Sequence, residues 1–237
     1  MESVALNGQR NRILAAMSKS DLALMQRFLK PVELNLRKRL QASNRRVAAI
    51  FFPENGIASM VAIGGGDRRQ AEVAVIGREG MTGLPIVLGT DRSPCEIFMQ
   101  VEGDGLCISA GDFRSAVAES DSMMKHFLRY SHVLTVQGSY TALANARGNL
   151  QERLARWLLM AHDRADTDEL HLTHEFLSLM LGVRRAGVTV ALHEFVQKGL
   201  IEAVRGSITI VDREGLEECA NGFYGMPESE FERLFAS

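Results

Sequence analysis

The segment from His174 to His193 constrains the fold of this chain more than any other. Apolar residues recur at helical spacing on both sides of Gly182, where the chain must turn and a positive φ is expected. The pattern predicts two short helices joined by a tight turn. Arg184 and Arg185 begin the second helix, at the end that a helix-turn-helix protein inserts into the major groove of DNA. An ordinary pair of packed helices would show the same pattern, so the residues that follow must decide.

Two short β-branched runs follow the second helix, which is expected to end near Lys198, before Gly199. Leu200–Val204 and Ile208–Asp212 flank the turn Arg205-Gly206-Ser207, and this arrangement predicts a β-hairpin. A hairpin joined directly to a recognition helix is a winged helix, whose tip cation would reach a DNA phosphate. A plain surface hairpin is the alternative, and the preceding helices make it the weaker one.

The charge of the chain restricts how it could bind a nucleic acid. Its formal net charge is −2, so no global basic field exists and a DNA interface must rest on a local patch. Residues 214–237 hold six glutamates and one arginine, which predicts a solvated acidic helix that does not touch phosphate. The length of 237 residues suits one large or two ordinary domains, and 46% hydrophobic residues suffice for a core.

The cysteines and the N-terminus indicate in which compartment of the cell the protein is expected. Cys95, Cys107 and Cys219 have neither the spacing of a zinc site nor that of a disulfide framework, which favours reduced thiols. No apolar run has the length of a membrane span, and the first 17 residues lack the pattern of a secretory signal. We therefore expect a cytoplasmic protein without a metal or cofactor.

The first half of the chain changes pattern twice. Residues 12–29 have helical spacing, with Ser18 and Asp21 placed as a cap. Residues 31–109 contain short alternating runs with frequent turns, typical of a closed antiparallel sandwich or barrel. Gly64-Gly65-Gly66-Asp67 suits a hairpin turn and not a phosphate loop, because it has no lysine and does not open a helix.

A long helix is expected from about residue 122 to 146. Its stripe of apolar and small residues, at steps of three and four, predicts pairing with a second copy of the same helix in a two-fold dimer. The residues expected at this interface are Met124, Leu128, Ser131, Thr135, Gly138 and Ala142. Packing of the helix on its own barrel is the alternative, and both arrangements can hold together.

Five segments make the chain resemble the Crp/Fnr family of bacterial transcription regulators. They are ERLARWLLMAHDR, LTHEFLSLMLGVRRAGVTVAL, GLIEAVRGSITIVDREGLE, FPENG and GREGMTGLP. The resemblance implies an α+β fold, with a sensor β-barrel of the cyclic-nucleotide-binding jelly-roll type, a dimerisation helix and a winged helix-turn-helix domain. The corresponding ranges are 1–118, 119–147 and 148–237.

The resemblance implies a sensor domain whose cyclic-AMP motif is degenerate. The family's ribose-binding glutamate falls on Met81, and its phosphate-binding arginine-serine pair falls on Ser93-Pro94. A proline offers neither a hydroxyl nor a backbone N–H to a phosphate. We therefore expect no response to cyclic AMP and an unidentified effector. The candidate ligand pocket comprises Gly80, Met81, Thr82, Arg92, Ser93 and Ser139.

Neither an iron–sulfur cluster, which oxygen-sensing members of the family hold, nor a haem is expected here. An iron–sulfur cluster needs an N-terminal cysteine set, and no cysteine precedes Cys95. A haem would need an axial ligand such as His126, His132, Cys95 or Cys107, but nothing in their spacing demands iron and such residues are ordinarily packing or surface residues.

The resemblance also implies the DNA contacts, together with a palindromic operator and RNA polymerase as a further partner. Arg185 would read guanine, Ala186 or Val190 would touch a thymine methyl, and Arg184 would clamp a phosphate. The residues expected at DNA are Thr173, Arg184, Arg185, Ala186, Thr189, Val190, Lys198 and Arg205.

Two other functional classes compete with a DNA-binding regulator. One is a ligand-sensing or protein-interaction module whose winged helix no longer binds DNA, which the acidic tail slightly favours. The other is an enzyme. The sequence has no metal-binding histidine pair, nucleophile elbow or phosphate loop, so we do not expect catalysis.

Overall fold

A computed structural model describes residues 10–64 and 70–236. The N-terminal unit consists of α1 (Arg12–Ala15), α2 (Lys19–Gln26), β1 (Lys30–Leu34), β2 (Arg39–Gln41), β3 (Ala49–Pro53), β4 (Ile57–Ile63), β5 (Gln70–Ile76), α3 (Leu84–Val87), β6 (Glu96–Val101), β7 (Gly103–Ser109) and α4 (Ala110–Ala118). The helical segment predicted over residues 12–29 forms two helices, α1 and α2, and Ser18 is the N-cap of α2. Its Oγ accepts a hydrogen bond from the Asp21 N–H at 3.1 Å.

The N-terminal strands form two antiparallel sheets, so the prediction of a closed barrel was wrong. One sheet has the order β1-β7-β3 and the other the order β2-β6-β4-β5, with no pairing between them among the described residues. The free edge of β3 is covered by Thr82. At β3, the Phe51 N–H donates to Thr82 Oγ1 at 2.9 Å, and the Thr82 N–H donates back to the Phe51 carbonyl at 2.9 Å. Of the predicted Gly64–Asp67 turn, residues 65–67 lie outside the described residues.

A long helix, α5 (Asp121–Arg147), follows the N-terminal unit and confirms the predicted helix to within one residue at each end. Ser120 caps its start, where Ser120 Oγ accepts from the Met123 N–H at 3.3 Å. Helix α5 lies along β5. The Val75 N–H of β5 donates a hydrogen bond to Gln137 Oε1 of α5 at 2.7 Å.

The winged-helix unit completes the predicted order. It consists of α6 (Leu150–His162), β8 (Glu169–Leu170), α7 (His174–Leu181), α8 (Arg185–Gln197), β9 (Ile201–Val204), β10 (Ser207–Ile210) and α9 (Arg213–Cys219). The short strand β8 was not predicted, because two residues are too few to show a periodicity. It pairs with β10 and adds a third strand to the wing.

No single helix among the described residues is long and apolar enough to cross a membrane. Helices α7 and α8 reach that composition only when joined, and their axes meet at 108°.

The last helix, α10 (Met226–Phe235), does not stay with the winged helix. Its Phe231 and Phe235 are buried in the core of the N-terminal unit. Glu232 pairs with Arg12 at 2.6 Å, and Glu230 contacts His132 of α5 at 2.8 Å. The acidic side chains of α10 therefore contact the N-terminal unit and α5, whereas the sequence predicted only a solvated helix face.

Candidate nucleic-acid interface

The geometry of α7 and α8 is that of a helix-turn-helix. Thr173 begins α7, and its Oγ1 accepts a hydrogen bond from the Phe176 N–H at 3.2 Å. Gly182 ends α7 with a φ of 63°, which confirms the predicted left-handed residue. The angle of 108° between the helices lies within the range of this motif. Thr173 is therefore used as a helix cap while its side chain remains at the surface.

Helix α8 has one buried and one exposed face. Val188, Ala191, Leu192 and Phe195 are almost fully buried in the core of the winged-helix unit. The face turned to solvent carries Arg184, Arg185, Ala186, Thr189 and Val190. Val190 is 59% exposed. All the residues that the sequence placed on the reading face of this helix are therefore accessible together.

The Thr189 hydroxyl is already engaged within the protein. It donates to the Arg185 carbonyl at 3.1 Å, and His174 Nδ1 lies 2.9 Å from the same oxygen. Since the hydroxyl proton is used, His174 acts as the donor in the second contact. The methyl group of Thr189 is the part of this side chain left free of such contacts.

The two remaining predicted cations occupy different places. Arg205 lies exposed in the two-residue turn of the wing, beside Gly206 with a φ of 85°. Lys198 is also exposed, but it forms the C-terminal cap of α8. At 1.5 Å per residue, Lys198 lies about 20 Å along the helix from Arg185. The structure therefore brings Arg205 toward the arginine-bearing end and leaves Lys198 apart.

A groove of about 890 Å³ separates α8 from the wing. Arg185, Thr189 and Arg205 line it, and so do three residues that sequence reasoning missed, namely Arg37, His174 and His193. His193 is four residues after Thr189 on the same helical face, so the periodicity could have shown it. Arg37 lies in the β1–β2 turn of the N-terminal unit with a φ of 63°, and no sequence signal links it to this groove.

The comparisons with known proteins agree with this geometry. Residues 152–219 match the model of the Crp-like helix-turn-helix domain. These residues form a Crp-like helix-turn-helix domain. No curated protein is significantly similar to the chain in sequence.

Solved structures extend the likeness to most of the chain. A Crp/Fnr-family regulator from Eubacterium rectale is 19% identical, with a TM-score of 0.68 over 89% of this chain and 98% of its own. FixK2 from Bradyrhizobium japonicum is 13% identical, with a TM-score of 0.69 over 81% and 96%. A CRP-family regulator from Thermus thermophilus is 16% identical, with a TM-score of 0.64 over 81% and 97%. The chain therefore has the Crp/Fnr fold, in which the Crp-like domain follows a two-sheet unit and a long helix.

The predicted ligand pocket is only partly assembled. Met81, Thr82, Arg92 and Ser93 line a cavity of about 300 Å³, to which α5 contributes Ser131 and Thr135. Gly80 instead packs against the Tyr130 ring, and a Cβ there would lie 2.2 Å from the Tyr130 hydroxyl. Ser139 is exposed, and its Oγ donates to the Thr135 carbonyl at 2.9 Å.

Several polar groups of this cavity are engaged within the protein, whereas Gln41 Oε1, which also lines it, is buried without a partner among the described residues. Ser93 Oγ accepts from the Cys95 N–H at 3.1 Å, and Arg92 contacts Asp91 at 3.4 Å. Thr82 Oγ1 holds the edge of β3, as described above. Met81 is fully buried and presents no hydrogen-bonding oxygen or nitrogen in its side chain. A cyclic nucleotide would need a side chain here that accepts a hydrogen bond from its ribose hydroxyl, but Met81 gives the cavity an apolar wall at that position.

The candidate haem ligands are placed as packing and surface residues. His126 Nε2 lies 2.8 Å from the Ile13 carbonyl, and burial lowers the pKa of His126, which favours a neutral ring donating to that oxygen. His132 is held by Glu230. The half-buried Cys95 and Cys107 are free thiols, and no cluster suited to a metal ion occurs among the described residues.

The candidate dimer residues divide between two faces of α5. Leu128, Thr135 and Ala142 are exposed at steps of seven residues. Ser131 is buried, and a Cβ on Gly138 would lie 3.9 Å from the Val73 carbonyl, so both positions face the N-terminal unit. Met124 is half-buried against the core. The predicted stripe thus contains an exposed seam and a face packed on β5.

A buried carboxylate joins the N-terminal unit to the Crp-like domain. Glu72 of β5 accepts a hydrogen bond from Trp157 Nε1 at 2.7 Å and another from the Ser59 hydroxyl. Met180 of α7 also contacts this group, because its sulfur lies 3.7 Å from Ser59 Oγ. Burial raises the pKa of Glu72 from 4.5 to about 7, although both hydrogen bonds oppose the shift.

A buried ion pair forms the second connection. The side chain of Arg164, which follows α6, is 4% exposed and contacts Glu79 at 2.7 Å. Its Nε lies 3.0 Å from the same carboxylate oxygen, and its Nη1 donates to the Met160 carbonyl. Glu79 belongs to the GREGMTGLP segment, so the loop nearest the candidate ligand pocket is bonded directly to the Crp-like domain.

Proposed function

We propose that this protein is a dimeric, sequence-specific DNA-binding transcription regulator. The observation that carries the proposal is the exposed face of α8, where Arg184 and Arg185 begin a helix crossing α7 at 108°. The printed descriptions of the similar structures, which are of transcription regulators, support it. We infer that the chain acts in the cytoplasm and not as an enzyme.

The exposed side chains have different parts in DNA recognition. Arg185 would pair with the O6 and N7 acceptors of a guanine, and Arg184 would hold a phosphate. Ala186, Val190 and the Thr189 methyl offer apolar contact to a thymine methyl, since the Thr189 hydroxyl is engaged. Arg205 would reach the adjacent backbone from the wing.

The exposed seam of α5 would pair with a second copy of this chain. Leu128, Thr135 and Ala142 repeat at the coiled-coil interval, and the small Ala142 side chain allows the helices to approach closely at that position. A two-fold dimer would place the two α8 helices about 34 Å apart, which suits a palindromic operator.

The connection between the units offers a way to regulate DNA binding. Arg37 of the N-terminal unit lines the recognition groove, so a duplex entering along α8 would meet the β1–β2 turn. We propose that an effector other than cyclic AMP shifts the population toward an arrangement in which this turn is withdrawn. RNA polymerase is the further partner that a regulator of this kind would contact.

Substitution of Arg185 tests the DNA-binding surface. Binding sites would be selected from randomised duplexes with the full chain, and fluorescence anisotropy would then measure affinity. Arg185→Ala is expected to weaken specific binding by about 1–3 kcal/mol, because it removes a bidentate base contact. The sedimentation coefficient of the free protein should not change.

Arg114→Ala is the matched control, because Arg114 is also exposed but lies on α4. Unchanged DNA affinity in Arg185→Ala, or no retention of the wild-type protein on DNA at low salt, would contradict the proposal. The second result would favour a sensing or interaction module instead.

A further inference from the structure

A cavity separate from the candidate ligand pocket lies between α5, α10 and the loop that carries Glu79. Its volume is about 320 Å³, which is within the range of small-molecule sites. Val133, Leu134 and Phe231 give it apolar walls. Three chain segments that are distant in sequence therefore enclose one space.

Helix α5 presents two hydrogen-bond donors in this wall. Gln137 Oε1 accepts from the Val75 N–H at 2.7 Å, and its Nε2 has no partner among the described residues. Tyr130 is 1% exposed, and its hydroxyl proton has no acceptor in the described part of the chain. Buried polar groups are rarely left unpaired. The Tyr130 hydroxyl thus calls for an acceptor, and the Gln137 amide offers a second donor in the same wall.

Helix α10 presents a carboxylate oxygen on its side of the cavity. Glu228 Oε2 accepts from the Gly225 N–H at 3.1 Å and so caps α10. Its Oε1 has no hydrogen bond, and the residue forms no salt bridge within residues 10–64 and 70–236. The nearby Arg164 is already committed to Glu79. Donors on α5 are therefore combined with a free acceptor on α10.

We propose that this cavity binds a neutral, flat heterocycle that carries an amino group, as a nucleobase does. A ring nitrogen or carbonyl of the ligand accepts from Gln137 and Tyr130, and its amino group donates to Glu228. A carboxylate or phosphate ligand fits less well, because the arginines of the cavity wall are paired with acidic residues. The inference needs neither DNA nor a second copy of the chain.

Calorimetric titration of the full chain with adenine, in the absence of DNA, tests the site. Unsubstituted purine is the matched probe, because it lacks only the amino group. We expect saturable binding of adenine and an affinity for purine that is about tenfold lower, as for the loss of one buried hydrogen bond.

Two conservative variants assign the contacts. Glu228→Gln keeps an oxygen for the Gly225 N–H and replaces the free acceptor by a donor, so the preference for adenine over purine should disappear. Tyr130→Phe removes only a hydroxyl and should weaken both probes. No saturable binding of adenine up to about 10 mM, equal affinity for both probes, or unchanged binding in both variants would overturn the proposal.

Discussion

The recognition groove and the junction between the two units use polar residues in opposite ways. In the groove, Arg185 and Arg205 are exposed and lie beside open space. At the junction, Glu72 and Arg164 are buried, and each contacts a residue of the other unit. Cations that must meet a ligand stay hydrated until it arrives, whereas buried charges must carry their own partners. Substitutions should therefore affect binding in the first region and stability in the second.

Breaking the buried ion pair should give the largest effect. Arg164→Ala leaves the Glu79 carboxylate buried without its partner, which we expect to cost about 3–5 kcal/mol of the free energy of unfolding. Urea denaturation measures this value. Arg39→Ala is the control, because its pair with Glu96 is exposed and should contribute less than about 1 kcal/mol. Similar losses in the two variants would remove the distinction between the junction and the surface.

Titration of Glu72 should have the next largest effect. Because its pKa is raised from 4.5 to about 7, the folded protein binds this proton more tightly than the unfolded chain does. The stability that it contributes is complete below about pH 4.5 and is lost as the pH rises to about 7, by about 3 kcal/mol at most.

Glu72→Gln isolates this group, because glutamine can accept from Trp157 and donate to Ser59 without ionising. The difference in unfolding free energy between wild type and variant, measured by urea denaturation at about pH 5 and pH 7.5, should grow in favour of the variant at the higher pH. A difference that is independent of pH would show that Glu72 titrates normally.

The smallest expected effect belongs to the wing. Arg205→Ala should leave the unfolding free energy unchanged and reduce the slope of log affinity against log salt by about 1, since one phosphate contact is lost. Anisotropy titrations at several salt concentrations measure this slope. An unaltered slope would place Arg205 away from the DNA backbone.

The sequence predicted the parts of the fold that depend on local patterns. Gly182 as the left-handed turn and the exposed face of α8 follow from residues close together in the chain. Strand β8 escaped notice because two residues have no periodicity. The order of the strands within the two sheets could not be foreseen either, since it depends on contacts between distant segments.

The candidate site shows the same limit. The periodicity of α8 indicated which of its side chains face outward, but nothing local to Arg37 predicts that it lines the groove. The Glu79–Arg164 pair joins residues that are 85 positions apart, and the sequence carries no signal for such a partner.

The return of α10 to the N-terminal unit has a consequence for biosynthesis. Phe231 and Phe235 complete a core whose strands leave the ribosome more than a hundred residues earlier. That core must therefore wait, with part of its apolar surface uncovered, until translation has passed the Crp-like domain.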